Sequence, residues 1–193
     1  MIGDLSKRIV ERLLRNEAII QRDYEIYLFG MEQMLTIILD LLTAVIIGIA
    51  FGRVLQTIIF IIAFMVIRSY AGGYHASTSF RCYLLTTLTI IITLSAMKFV
   101  NLDMVMLISL LVIASIVILI ISPEDTENKP LDDIEYIYYR KKTIIVWSIE
   151  IVIALICAIF RFEAGTESIV YAQTVLSIAL ICQRITRIKN KKF

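Results

Sequence analysis

The sequence predicts an all-α integral membrane protein: about six transmembrane or partly re-entrant helices, preceded by an N-terminal amphipathic helix at the interface. Three observations carry this. Apolar residues make up 59% of the 193 residues, with a mean hydropathy of +0.84, whereas a soluble domain is nearer half apolar. The apolar residues fall in long runs rich in Ile, Leu and Val, and a bilayer admits only structures that satisfy their own backbone, of which helices are the economical choice here. Seven glycines and two prolines leave little material for a turn-rich β fold. The net charge of +2 is too small to imply nucleic acid.

The chain reads as one membrane domain over 1–193. In residues 1–27, Ile2, Leu5, Ile9, Val10, Leu13 and Leu14 recur at helical spacing, with Lys7, Arg8, Glu11, Arg12 and Arg15 on the other face. Such a helix either lies in the interface with its basic face toward anionic headgroups or packs on the bundle or on a second copy. Charges run through this segment, so it has no apolar core of a signal peptide. The membrane bundle is expected over 31–182. Its six apolar segments are Met31–Phe51, Val54–Ile67, Tyr83–Met97, Met104–Ile121, Thr143–Phe160 and Ser168–Cys182. The second, third and sixth fall short of the usual ~20 residues of a span, so two and three read as short, tilted or re-entrant. A basic cytoplasmic tail covers 183–193.

Charge sets the orientation. With six spans, one side carries the basic residues of the N-terminal segment, Arg68, Arg81, Lys129, Arg140, Lys141, Lys142 and the tail. That is sixteen of the nineteen, and the other side keeps Arg53, Lys98 and Arg161. The positive-inside rule makes the first side cytoplasmic, with both termini.

The chemistry-bearing feature is the sole histidine. His75 lies in a polar loop between segments two and three, seven residues before Cys82. Gly72 and Gly73 suit a helix C-terminus that needs a left-handed residue. Ser77, Thr78 and Ser79 can cap the next helix, and with Ser79 as the cap Cys82 falls in its electropositive first turn, a setting suited to a nucleophilic thiolate. Arg68 and Arg81 add positive charge nearby. On one continuous helix His75 and Cys82 would stand ~10.5 Å apart, so a Cys/His pair requires the chain break that residues 73–79 offer. The glycine N–H groups of Gly72 and Gly73 could then serve an oxyanion. One His and one nearby Cys are too few ligands for zinc, so no metal and no cofactor is expected. Cys157 and Cys182, inside apolar runs, read as small buried hydrophobes, and three cysteines make no disulfide framework. On residues alone, an interfacial His and a membrane Cys with structural roles remain the plain alternative.

The run Arg68-Ser-Tyr-Ala-Gly-Gly73-Tyr-His75-Ala-Ser-Thr-Ser79-Phe80-Arg-Cys82 resembles the signature of the accessory gene regulator B (AgrB) family: an Arg, a Gly, a His two residues on, then a Ser-Phe pair shortly before the Cys. The chain length, six apolar segments, amphipathic N-terminus, basic tail and Pro-containing loop Ser122–Pro130 are similar too. The resemblance implies a membrane cysteine endopeptidase that processes an AgrD-like quorum-sensing propeptide, with His75 as base and Cys82 as nucleophile. Its acyl-enzyme would pass to a Cys or Ser of the same peptide, closing a thiolactone or lactone. The expected partners are that propeptide and the lipid bilayer, with a homodimer as one assembly. The loop before segment five departs from the more basic loops of some members: it carries Glu124, Asp125 and Glu127 beside Lys129. If it reads substrate charge, the substrate differs. No third triad member is evident, so a dyad is expected.

Asp40 and Glu150 sit inside segments one and five. Membrane carboxylates are costly and face a partner or the bundle interior, so each either binds the peptide or pairs within the bundle. Two other classes compete: a small transporter or peptide exporter using these carboxylates, and a non-enzymatic sensor or assembly subunit. A carrier should tolerate Cys82→Ala; a peptidase cannot.

Overall fold

The computed structural model describes residues 2–73, 79–124 and 131–190. Among them it is all helical, with seven α-helices. Six are long and apolar enough to cross a membrane, and the protein is a multi-pass membrane protein. They are α2 (Tyr24–Phe51), α3 (Val54–Ala71), α4 (Ser79–Phe99), α5 (Met104–Ile121), α6 (Asp133–Ile159) and α7 (Glu163–Asn190).

The amphipathic helix α1 spans Ile2–Arg15, shorter than the expected 1–27. It ends where Glu17 takes a positive φ of 56°, and a 3-10 turn at Gln21–Asp23 leads into α2. Ser6 and Val10 are fully buried, and a Cβ on Gly3 would stand 3.2 Å from Glu32 Oε1 of α2. The helix packs on α2 of the bundle. Its basic residues Lys7, Arg8, Arg12 and Arg15 all remain exposed.

Helix lengths differ in a way that matters for the site. The 18 residues of α3 rise ~27 Å, about one hydrocarbon thickness, whereas the 28 of α2 and of α7 rise ~42 Å. At 18 and 21 residues, α3 and α4 are longer than their apolar runs suggested. They do not pack on each other as a hairpin: α3 packs chiefly on α7 and α6, while α4 packs chiefly on α2.

The sixth membrane helix is the hub. α7 makes the most extensive packing, against α5, α3 and α6, and half of its span is buried. That explains why its apolar run looked short. A helix facing protein need not be greasy throughout, and Ser168, Gln173, Ser177 and Gln183 are all buried on it. The core is built from small side chains where helices approach: Ala44, Ala63, Ala154 and Ala172 join Phe60 and Leu94 in one cluster. A second cluster sets Ile67 and Ala71 of α3 against Ile118 of α5 and Leu176 and Leu180 of α7. Gly48 meets Thr57, whose Oγ1 would lie 2.7 Å from an added Cβ. Close backbone approach of this kind drives helix association where lipid removes the hydrophobic contrast.

Candidate active site

The site is launched from the end of α3. Ile67 and Ala71 are buried against α7, which fixes the last turn. Gly72 then takes φ +80° and ψ −155° and Gly73 φ +143°. The sequence expectation of a left-handed helical glycine is corrected in detail: Gly72 adopts the region open essentially to glycine alone. Space demands glycine as well, since a Cβ on Gly72 would lie 2.3 Å from the carbonyl oxygen of Glu124. The Gly72 N–H donates to Arg68 O at 3.1 Å, so an oxyanion role for that donor would require this bond to break.

Residues 74–78, including His75, lie outside the described residues, as does Lys129 of the α5–α6 loop. The chain resumes at Ser79, the first residue of α4, and Cys82 falls in its first turn. Its thiol is free and half-buried. Next to it, Tyr83 shares a hydrogen bond of 3.1 Å with Thr43 of α2, which pins the start of α4 to the bundle.

Arg68 is the centre of the polar cluster. Its guanidinium lies in Coulombic reach of both Cys82 and Asp40, and it sits over the Phe64 ring at 5.5 Å. Gly73 passes alongside, where an added Cβ would be 3.7 Å from Arg68 Nε. The structure therefore gathers Asp40 (α2), Arg68 (α3), Gly73 just past the end of α3, and Cys82 (α4), four residues named from the sequence. Asp40 Oδ1 is buried with no hydrogen-bond partner among the described residues, so Arg68 is the charge that offsets it.

Glu150 belongs elsewhere. It is buried in the α6–α7 seam and accepts from Gln173 Nε2 at 3.3 Å. The remaining oxygens, Glu150 Oε1 and Gln173 Oε1, have no partner among the described residues. The two other cysteines are less buried than expected: Cys182 is exposed and Cys157 half-buried, the latter close enough to α7 that a Cβ on Gly165 would meet its Sγ at 2.7 Å. Among the described residues no group of three His, Cys, Asp or Glu could hold a metal.

One element escaped the sequence reading. Ser122–Glu124 is not a solvated stretch. Ser122 and Glu124 are both buried. Arg140 of α6 donates to Ser122 O, the Glu124 N–H donates to Ala71 O at 3.1 Å, and Arg187 of α7 bonds the Glu124 carboxylate at 3.3 Å. The first of the acidic residues that the sequence sets in this loop is thus buried and paired. A charge pair 63 residues apart leaves no local signal in sequence.

Compared with known proteins, the chain matches the model of the family described as Accessory gene regulator B over residues 6–186. It is 26% identical over 203 residues to a protein of Clostridium perfringens (strain SM101 / Type A) named as AgrB-like, covering 98% of this chain and 94% of that one. A second protein named as AgrB-like, from Clostridium perfringens (strain 13 / Type A), is 24% identical over 200 residues with the same coverage. No solved structure matches. A family model that spans nearly the whole chain, on an all-helical bundle with six membrane-length helices, settles the kinship: the chain belongs to the Accessory gene regulator B family and with it to the agr quorum-sensing system.

Proposed function

We propose that this protein is a membrane cysteine endopeptidase that cleaves an AgrD-like propeptide and cyclises the fragment it retains. The observation that carries the reading is the position of Cys82. It is a free thiol in the first turn of a helix, within Coulombic reach of the Arg68 guanidinium, at the end of the loop that holds the chain's single histidine. Helix N-termini and cations favour the thiolate, which is the nucleophilic form.

In this mechanism His75 takes the proton from Cys82 Sγ. The thiolate adds to the scissile carbonyl carbon, and the oxyanion is met by Gly73 N–H and by Arg68. The C–N bond breaks as His75 returns its proton to the leaving amine. The resulting thioester is then attacked by a Cys or Ser side chain of the same peptide, which closes the ring and frees Cys82. Transfer outcompetes hydrolysis where water is scarce, and Arg68 lies within the span of α3, flanked by Phe64 and Ile67.

Asp40 holds Arg68 in place in this scheme, and the basic residues put the loop and both termini on the cytoplasmic side. The transporter alternative draws on Asp40 and Glu150 in a shared polar path. Each has a neighbour that accounts for it, Arg68 and Gln173 respectively.

The test is co-expression with a propeptide. Cys82→Ala and His75→Ala should each abolish cleavage while the protein still inserts in the membrane. Intact-mass analysis of the wild type should find the propeptide fragment as a thioester on Cys82. Full processing by Cys82→Ala would sink the assignment.

A further inference from the structure

We propose that the Glu124–Arg187 ion pair is a positioning clamp for the nucleophile loop, holding the α5–α6 strap against the end of α3 and so fixing where the chain departs toward His75. The proposal rests on the peptidase reading above and extends it to two residues that reading does not use.

The geometry begins with the cost of burying Glu124. Its side chain is only 6% exposed, and a buried carboxylate is tolerable when a cation and hydrogen bonds meet it. Arg187 meets it at 3.3 Å from the cytoplasmic end of α7. The backbone of Glu124 is engaged as well. Its N–H bonds Ala71 O, and residues 72 and 124 pair as a parallel bridge. Two residues upstream, Arg140 holds Ser122 O, and Ser122 Oγ bonds Ile118 O at 2.6 Å.

The strap is therefore held from α6 at one end and from α7 at the other, with the α3 terminus between them. Gly72 approaches the Glu124 carbonyl too closely for any side chain. Gly73 follows between Arg68 and Ala179 of α7, with an added Cβ 3.7 and 3.9 Å from them. From this point only residues 74–78 separate the clamp from α4 and Cys82. A reacting geometry tolerates little displacement, and an error of about 1 Å costs on the order of 100-fold. A carboxylate 52 residues along the chain from Gly72 thus acts on the reaction through the launching point of its loop, without touching substrate.

The sequence offered another role for Glu124, reading the charge of the substrate, and the experiment separates the two. Glu124→Gln and Arg187→Gln are each compared with the wild type for processing of a co-expressed AgrD-like propeptide, for its co-purification with the protein, and for hydrogen exchange at residues 71–73 and 124. The clamp predicts that both variants process roughly ten- to 100-fold more slowly, retain the propeptide as well as the wild type does, and exchange faster at those amides. Arg187→Lys should restore most of the rate, as should the swapped pair Glu124→Arg with Arg187→Glu. Loss of co-purification on Glu124→Gln alone, with Arg187→Gln unaffected, would assign Glu124 to the substrate and overturn the clamp. So would wild-type rates in both variants, or losses of rate matched by equal losses of folded protein that neither rescue repairs. Cys82→Ala runs alongside: if it still processes, the peptidase reading fails and the proposal falls with it. If it is dead while the two glutamine variants are normal, only the clamp fails.

Discussion

Replacing Gly72 by alanine should disable the protein through two separable effects, and the structure gives a size for each. The backbone at φ +80° and ψ −155° lies where non-glycine residues pay about 1–3 kcal/mol. The new Cβ would then stand 2.3 Å from Glu124 O, so strap and helix end must separate by about 1.1 Å to reach an ordinary contact of roughly 3.4 Å. That movement stretches the bond from Glu124 N–H to Ala71 O, worth about 1 kcal/mol. The sum is about 2–4 kcal/mol of local stability. A displacement of that size at the launching point of the loop should also cost on the order of 100-fold in processing. Two other glycines serve as controls. Gly52 has φ +69° with nothing within 4 Å of an added Cβ, so Gly52→Ala should cost only the roughly 1–2 kcal/mol of the left-handed region and leave processing near normal. Gly30, helical and equally open, should accept alanine with a gain of up to about 1 kcal/mol. Thermal unfolding in detergent reads the stability, and release of the mature peptide reads the function. Wild-type processing by Gly72→Ala, or the same loss on Gly52→Ala, would falsify the argument that close approach at this one turn sets the site.

Glu150→Leu should lower stability by about 1–3 kcal/mol because it strands the Gln173 amide in the bundle. The double change with Gln173→Leu should recover most of that, and thermal unfolding of the three variants decides it. Cys157→Ala and Cys182→Ala should leave processing unchanged, since neither thiol belongs to the polar cluster around Arg68; a processing defect in either would assign it a part in the chemistry. An impermeant maleimide applied to intact cells should label a cysteine introduced at Phe160, on the sparsely charged side, and spare one introduced at Arg184. The reverse pattern would invert the topology drawn from the basic residues.

Asp40, Arg68 and Cys82 come from three helices, and each was singled out for a reason internal to its own segment: a carboxylate in a span, an arginine in a motif, a thiol near a cap. The motif itself sets Arg68 near Cys82, but that Asp40 joins them was not legible. It depends on α3 and α4 diverging after the loop, α3 to α7 and α4 to α2, while their loop-side ends stay together. The Thr43–Tyr83 bond supports that arrangement, and two polar residues 40 apart in apolar runs advertise nothing in sequence.

The sequence by itself determined the class of the protein, the number of membrane helices, the two glycines at the turn and the Cys/His signature of the family. These are local or compositional properties: partition into lipid is decided residue by residue, and a motif is read along one stretch of chain. Only the tertiary structure decided that α7 is the hub, that Glu150 is taken up by Gln173, and that Glu124 is buried against Arg187 rather than solvated. Hydropathy reports how much a helix prefers lipid, so it understates a helix that faces protein. Charge pairs across the bundle are set by where helices pack, and that packing comes from small residues such as Gly48, Ala63 and Ala172, whose contacts lie far along the chain from the charges they bring together.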